Sequence, residues 1–184
     1  MDGTQQLDQI IPQIEAVVDR ITPEQLDAPT ACATFTVRGV LEHMIGGVTV
    51  FAPAFRGGPS PDAPADPGDI LAQWRASMAD LLDAMHTPGS GERIIAAPIG
   101  EVPGAVFARF VAFDGLVHGW DLATATGQPY APADDLVDEV GAFARQALAP
   151  ELRDGDTFAA ETEAPTDAGP LERLVAFSGR TLPT

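Results

Sequence analysis

The sequence predicts an all-α protein: a bundle of four long helices, with an extra short C-terminal helix and irregular extended segments between them. Apolar side chains recur at three- and four-residue steps through most of the chain, which is the period of a helix buried on one face. Proline, glycine and short polar residues stand where these stretches begin and end. The chain has 184 residues, 45% of them hydrophobic, which predicts a single globular domain over residues 1–184.

The N-terminal third predicts two helices. Pro12 lies within the first apolar stripe and predicts a kink or a late start of that helix. Thr22-Pro23-Glu24 is typical of a cap followed by a new first turn. Thr36 is the predicted N-cap of a second helix over Val37–Val50. The first stripe consists of Leu7, Ile10, Ile11, Ile14, Val17, Val18 and Ile21.

The middle of the chain predicts a loop, a third helix and an extended segment. The stretch Gly57–Pro67 is rich in proline, glycine and aspartate, and it is a predicted loop. Asp66-Pro67 is the predicted cap of a third helix over Gly68–Met85. The segment Ser90–Val102 places isoleucines between glycine and proline, and this pattern predicts extended chain or a loose hairpin.

One proline and one glycine mark the two ends of a predicted fourth helix, and two further helices are predicted after it. Pro103 sits in the first turn of a fourth helix predicted over Gly104–Thr124, and Gly127 is a natural residue to end it. A fifth helix is predicted over Ala133–Ala149 and a short final helix over Leu171–Ser178. Four long helices joined by loops of mixed length predict a helical bundle.

Charge and cysteine content exclude several classes of function. The net charge is −17, and arginine supplies all ten basic residues. Phosphate backbones and anionic lipids repel such a chain, so neither nucleic acid nor a membrane surface is an expected partner. The first residues lack the features of a signal peptide, and the uncharged stretch His43–Phe55 is too short for a membrane span. We therefore expect a cytoplasmic protein. The single cysteine, Cys32, excludes an internal disulfide and a cysteine-rich zinc site.

Three side chains could form a metal site. His118 follows Asp114 by four residues, so both lie on one face of the fourth helix. Asp121 falls on that face too, and His43 borders the apolar stripe of the second helix. Metal sites in bundles are built from inward side chains on facing helices. Three protein ligands would leave coordination positions open, which is the catalytic pattern. The alternative is an Asp–His ion pair beside a packed histidine.

Other catalytic chemistries have little support in the sequence. No G-x-S-x-G, P-loop or G-x-G-x-x-G motif is present, and the absence of lysine excludes Schiff-base catalysis. His86 is expected to interact with the C-terminal end of the third helix. Cys32 is expected to be a small half-buried side chain. If the protein is an enzyme, its best candidate residues are therefore His43, Asp114 and His118.

Several motifs resemble those of one family. The runs Leu26–Cys32, Phe35–Arg38 and Leu41–His43 resemble the opening "L-x-x-P-T-P-C…W-x-V-R-x-L-x-x-H" of an actinobacterial family. The block Asp114–Gly127 is similar to its "D-x-x-x-H-x-W-D-L-A-x-A-T-G". The tail Leu171–Arg180 is similar to its closing "L-x-x-L-x-x-F-x-G-R". That family belongs to the DinB/YfiT-like superfamily and is related to the metal-binding N-terminal domain of mycothiol-dependent maleylpyruvate isomerase.

The resemblance implies a DinB-like four-helix bundle that holds a divalent metal ion on His43, Asp114 and His118. Zinc is the first expectation for the metal, with nickel, manganese or iron as alternatives, and mycothiol is the implied thiol. The isomerase has a glutamate where this chain has Asp114, and many superfamily members have a histidine there. Ala31 and Phe35 stand where the family often has proline and tryptophan. Superfamily members are often dimers, so a homodimer is expected.

These observations lead to three functional hypotheses. The first is a metal-dependent enzyme that uses mycothiol for transfer to, or isomerisation of, a small electrophilic substrate. The second is a thiol-independent metal hydrolase, and the third is a non-catalytic metal- or ligand-binding bundle. The chain leaves no room for the additional C-terminal domain of the isomerase, so the resemblance predicts the metal site rather than the isomerase reaction. Asp121 is expected either to orient a ligand histidine or to be a helix-end cap partner or a surface residue. Arg38 and Arg109 are candidates for binding an anionic substrate group, although a surface or ion-pair role is the favoured expectation for each.

Overall fold

The computed structural model describes residues 1–58, 68–148, 150–153 and 159–182. They form six α-helices, one two-stranded sheet and three 3-10 turns, so the predicted all-α bundle with a short C-terminal helix is confirmed. Within these ranges, no helix is both long enough and apolar enough to span a bilayer. The elements are α1 (Gly3–Val18), α2 (Val37–Arg56), α3 (Ile70–Met85), β1 (Ile94–Ala97), β2 (Gly100–Pro103), α4 (Gly104–Thr126), α5 (Asp134–Ala147) and α6 (Pro170–Phe177), with 3-10 turns at Pro23–Gln25, Ser90–Glu92 and Pro150–Leu152.

The core of the bundle lies between two pairs of helices. Helix α1 packs mainly against α4, and α2 packs mainly against α3. Helices α5 and α6 also contact α4, so α4 is covered on most of its sides. A helix in this position must be apolar almost all round, and α4 is. The largest fully buried side chains include Ile10, Ile14, Leu41, Trp74, Phe113 and Leu116.

Helix α1 begins well before Pro12, earlier than the predicted late start. Asp2 caps the helix, and its side chain and that of Gln5 each accept a hydrogen bond from the other residue's backbone N–H. This capping box satisfies N–H groups that a helix start otherwise leaves free. Helix α1 therefore starts at Gly3 and continues through Pro12, and the predicted late start is wrong.

The ends of α2 and α3 differ from the predicted ones. Thr36 caps α2 as predicted, but the helix runs beyond Val50 to Arg56 and ends at Gly57, whose φ is +76°. The extension is favoured by Phe55, which is fully buried. Helix α3 starts at Ile70 because the side chain of Asp69 caps it. The predicted cap Asp66-Pro67 and most of the predicted loop Gly57–Pro67 lie outside the described residues.

The later elements follow the predictions closely. Strands β1 and β2 pair antiparallel, from Ile94 opposite Pro103 to Ala97 opposite Gly100, so the predicted hairpin is confirmed. Gly127, with a φ of +69°, ends α4 as predicted. Helices α5 and α6 start and end within about two residues of the predicted positions, which is the usual uncertainty of helix ends.

Two glycine-to-alanine substitutions are expected to have opposite effects on stability. A Cβ at Gly104 would lie 2.2 Å from the Ser90 carbonyl oxygen, which is backbone and cannot move aside easily. We expect Gly104→Ala to lower the free energy of unfolding by about 1–3 kcal/mol. Gly46 is exposed within α2 and a Cβ there meets nothing within 4 Å, so Gly46→Ala should raise it by about 0.5–1 kcal/mol. Urea unfolding measures the free energy of unfolding of both variants. Equal values for the two variants would contradict the close packing at Gly104.

Candidate metal centre

Helices α2 and α4 bring His43, Asp114 and His118 together. The two oxygens of Asp114 face different histidines: Oδ2 lies 3.6 Å from Nε2 of His43, and Oδ1 lies 3.4 Å from Nε2 of His118. The two imidazole rings lie edge to face with their centroids 5.0 Å apart. The structure thus places the three sequence-predicted side chains in one cluster.

The loop before α2 covers one side of this cluster. The Thr30 hydroxyl donates a hydrogen bond of 2.7 Å to the Phe35 carbonyl, and Pro29 pairs with Thr36 in an isolated bridge. These contacts hold the Phe35 ring 5.3 Å from the ring of His43. The loop therefore provides an aromatic wall beside His43, the candidate ligand that lies on α2.

The cluster is buried on one side and open on the other. The side chain of His118 is 4% exposed, whereas those of Asp114 and His43 are 40% and 43% exposed. A cation held by these three residues would therefore be fixed from the core side and accessible to small molecules from the opposite side. This is the arrangement expected of a catalytic metal site rather than a closed structural one.

A buried ion pair contacts His118 through Nδ1, the ring nitrogen that does not face Asp114. The Asp121 carboxylate is fully buried, and its Oδ2 lies 3.0 Å from Nδ1 of His118. Arg180, three residues beyond the end of α6, donates to the same oxygen at 2.9 Å. Because a carboxylate only accepts hydrogen bonds, Nδ1 of His118 carries a proton directed at Asp121, while Nε2 is directed at Asp114. This is the contact that the predicted role of Asp121 requires.

The electrostatics favour charged forms of Asp114 and His118 when no cation is bound. Burial acts to raise the pKa of Asp114, but His118 and His43 outweigh it and hold this pKa well below its usual range. Burial likewise acts to lower the pKa of His118, but Asp114 and Asp121 raise it to about 10. A cation that binds Nε2 must therefore displace a proton, as metal binding to histidine generally does.

The donor set fits a divalent cation. One ligand atom from each of the three residues can be chosen so that all lie within 4.8 Å of one another. The carboxylate of Asp114 lies between the two imidazoles, with Oδ1 3.4 Å from Nε2 of His118 and Oδ2 3.6 Å from Nε2 of His43. Two imidazoles and a carboxylate suit zinc and other first-row divalent metals.

The structure does not bring Arg38, Arg109 or His86 to the cluster. Arg38 is exposed on the first turn of α2. The guanidinium carbon of Arg109 lies 4.3 Å from the centre of the Phe143 ring, so this side chain packs against α5. His86 caps the end of α3, where its Nε2 lies 2.9 Å from Oδ1 of Asp8.

Sequence reasoning missed the parts played by Phe35 and Arg180. Both belong to motifs that carry the family resemblance, and this resemblance is the signal that could have pointed to them. Neither position has a local pattern that indicates its contacts. The partner of Arg180, Asp121, is distant in sequence, and only the packing of the C-terminal segment onto α4 brings the two together.

Comparison with known proteins identifies the family. The family model "Mycothiol maleylpyruvate isomerase N-terminal domain" matches residues 7–123, a range that contains all three residues of the cluster. Two relatives from Mycobacterium tuberculosis, the uncharacterized proteins MT0763 of strain CDC 1551 / Oshkosh and Rv0738 of strain H37Rv, are each 36% identical over 169 residues, which is 91% of this chain and 91% of theirs. No solved structure matches the chain significantly. The chain belongs to the family of the mycothiol maleylpyruvate isomerase N-terminal domain.

Proposed function

We propose that this protein is a divalent-metal-dependent enzyme that uses a thiol, mycothiol, for transfer to or isomerisation of a small electrophilic substrate. The observation that carries the proposal is the cluster of three donor side chains that is buried at His118 and open at His43 and Asp114. Membership of the family supports the choice of mycothiol as the thiol.

Each residue of the cluster has a distinct part in this proposal. His43, Asp114 and His118 hold the cation, for which zinc is the first candidate and nickel, manganese or iron are alternatives. When bound, such a cation supplies Lewis acidity that favours deprotonation of a thiol near neutral pH. Asp121 and Arg180 fix the ring of His118 and thereby the direction of its Nε2. The exposed sides of His43 and Asp114 admit the reactants. The proposal takes residues 1–184 as one cytoplasmic domain.

The first test is the metal content of untagged protein, measured by mass spectrometry, because a tag would add its own histidines. About one equivalent per chain is expected for a site of three protein ligands. Turnover of small electrophiles by the metal-loaded protein should then require mycothiol and fail with glutathione.

The outcomes separate the alternatives. Turnover without any thiol would replace the proposal by a metal hydrolase, and bound metal without turnover would leave a binding protein. A protein that takes up no metal after incubation with Zn²⁺, Ni²⁺ or Mn²⁺ would overturn the enzyme proposal. Asp114 and His118 would then form only an ion pair.

A further inference from the structure

An apolar cleft of about 190 Å³ lies inside the bundle and reaches the candidate metal centre. Helices α1, α2, α3 and α4 all contribute to its walls, together with the turn of the β-hairpin. His43 and Asp114 lie at one end of it. Among the described residues that line the cleft, these two are the ones that can carry charge. The apolar walls include Ile14, Met44, Val48, Met78, Leu81 and Phe107.

The volume of the cleft indicates the size of the apolar group that it can enclose. An apolar protein cavity of about 150 Å³ accommodates benzene. A cleft of about 190 Å³ therefore has room for one six-membered ring with a short substituent, or for an aliphatic body of similar size. Met44 and Met78 are adaptable walls, because the unbranched thioether side chain adjusts to the shape that it contacts.

The charge of the cleft limits the chemistry of a ligand. Neither Arg38 nor Arg109 lines it, and Arg180 is paired with the buried carboxylate of Asp121. A carboxylate placed among these apolar walls would lose its hydration without gaining a cationic side chain, which is costly. The carboxylate of Asp114 would also repel it. The body of the ligand must therefore be neutral.

We propose that the cleft binds a neutral molecule about the size of a monosubstituted benzene, with its apolar body between the four helices and its single metal-ligating atom at the His43–Asp114 end. The position of that polar atom rests on the proposed function, whereas the binding of the apolar body does not. The proposal narrows the electrophilic substrate to neutral apolar molecules and excludes small dicarboxylates.

Two adjacent glycines provide a matched pair of variants. Gly47 lines the cleft, and a Cβ there meets nothing within 4 Å. Gly46 is its neighbour on α2, is exposed, and also has nothing within 4 Å, but it does not line the cleft. Gly47→Leu therefore fills the cleft, whereas Gly46→Leu makes the same substitution outside it.

The test titrates toluene, benzyl mercaptan and maleate into zinc-loaded and metal-free protein, with binding measured by calorimetry. Toluene should bind the parent and Gly46→Leu in both metal states, and it should bind Gly47→Leu at least about tenfold more weakly. With zinc, benzyl mercaptan should bind at least about tenfold more tightly than toluene. Maleate should not compete with either.

Methyl NMR of the methionines locates the ligand in the parent and does not depend on any variant. Of the four methionines, Met44 and Met78 line the cleft. Their signals should shift on addition of toluene, whereas those of Met1 and Met85 should not.

Three results would overturn the proposal. The first is that toluene leaves the NMR signals of both Met44 and Met78 unshifted. The second is that toluene binds Gly47→Leu as tightly as Gly46→Leu. The third is that maleate binds the zinc-loaded protein more tightly than benzyl mercaptan does. A protein that binds toluene in the cleft but retains no metal would instead overturn the proposed function alone.

Discussion

The His118→Ala variant is expected to bind zinc more than about 100-fold more weakly than the parent. Loss of a residue that merely supports a metal ligand typically costs about 10–100-fold in affinity, and His118 is here a direct donor. Its Nε2 lies 3.4 Å from Oδ1 of Asp114, so its removal leaves a carboxylate and His43, a set too small for tight binding. Competition with a chromophoric chelator measures the affinity. His43→Ala is expected to lose affinity in the same way.

His86→Ala is the matched control, because it removes a histidine that lies at the end of α3 and contacts Asp8 rather than the cluster. This variant should keep parental zinc affinity. The His118→Ala chain should still fold, since Asp121 keeps its partner Arg180. Parental affinity in His118→Ala would show that zinc binds elsewhere and would remove the basis of the proposed enzyme.

The Asp121→Ala variant is expected to lose about 3–5 kcal/mol of unfolding free energy, because removing one partner of a buried ion pair leaves a buried charge uncompensated. The Arg180 side chain is only 11% exposed, and Asp121 is fully buried. Asp19→Ala is the control, because Asp19 pairs with Arg75 at 2.7 Å while its side chain is 53% exposed. An exposed pair of this kind contributes less than about 1 kcal/mol. Urea unfolding of the metal-free proteins compares the two variants.

A double variant separates the charge effect from the positioning of His118. Asp121→Leu with Arg180→Met replaces the pair by apolar side chains and should recover most of the stability lost in Asp121→Ala. It should not recover zinc affinity, which is expected to stay about 10–100-fold below that of the parent because Nδ1 of His118 has lost its acceptor. If Asp121→Ala is no less stable than Asp19→Ala, Asp121 does not hold a buried charge in place.

The helices could be predicted from the sequence because their signals are local. Thr36 and Gly127 mark helix ends through backbone geometry that involves only their neighbours in sequence. The predicted helix ends were wrong where contacts between residues distant in sequence determine the structure. Helix α2 passes Val50 to Arg56 because residues of its last turns, such as Phe55, are buried in the core. Burial of this kind depends on the neighbouring helices, which no local pattern describes.

The sequence by itself determined that Asp114 and His118 share a face of one helix, because residues four apart in an α-helix are stacked. It also determined the family, because the motifs on both sides of the cluster are stretches of consecutive residues. Only the tertiary structure decided that His43 meets Asp114 at 3.6 Å, that Arg180 pairs with Asp121, and that an apolar cleft opens beside them. These contacts depend on how the helices are rotated and placed against one another, and side-chain packing across the whole core sets that arrangement.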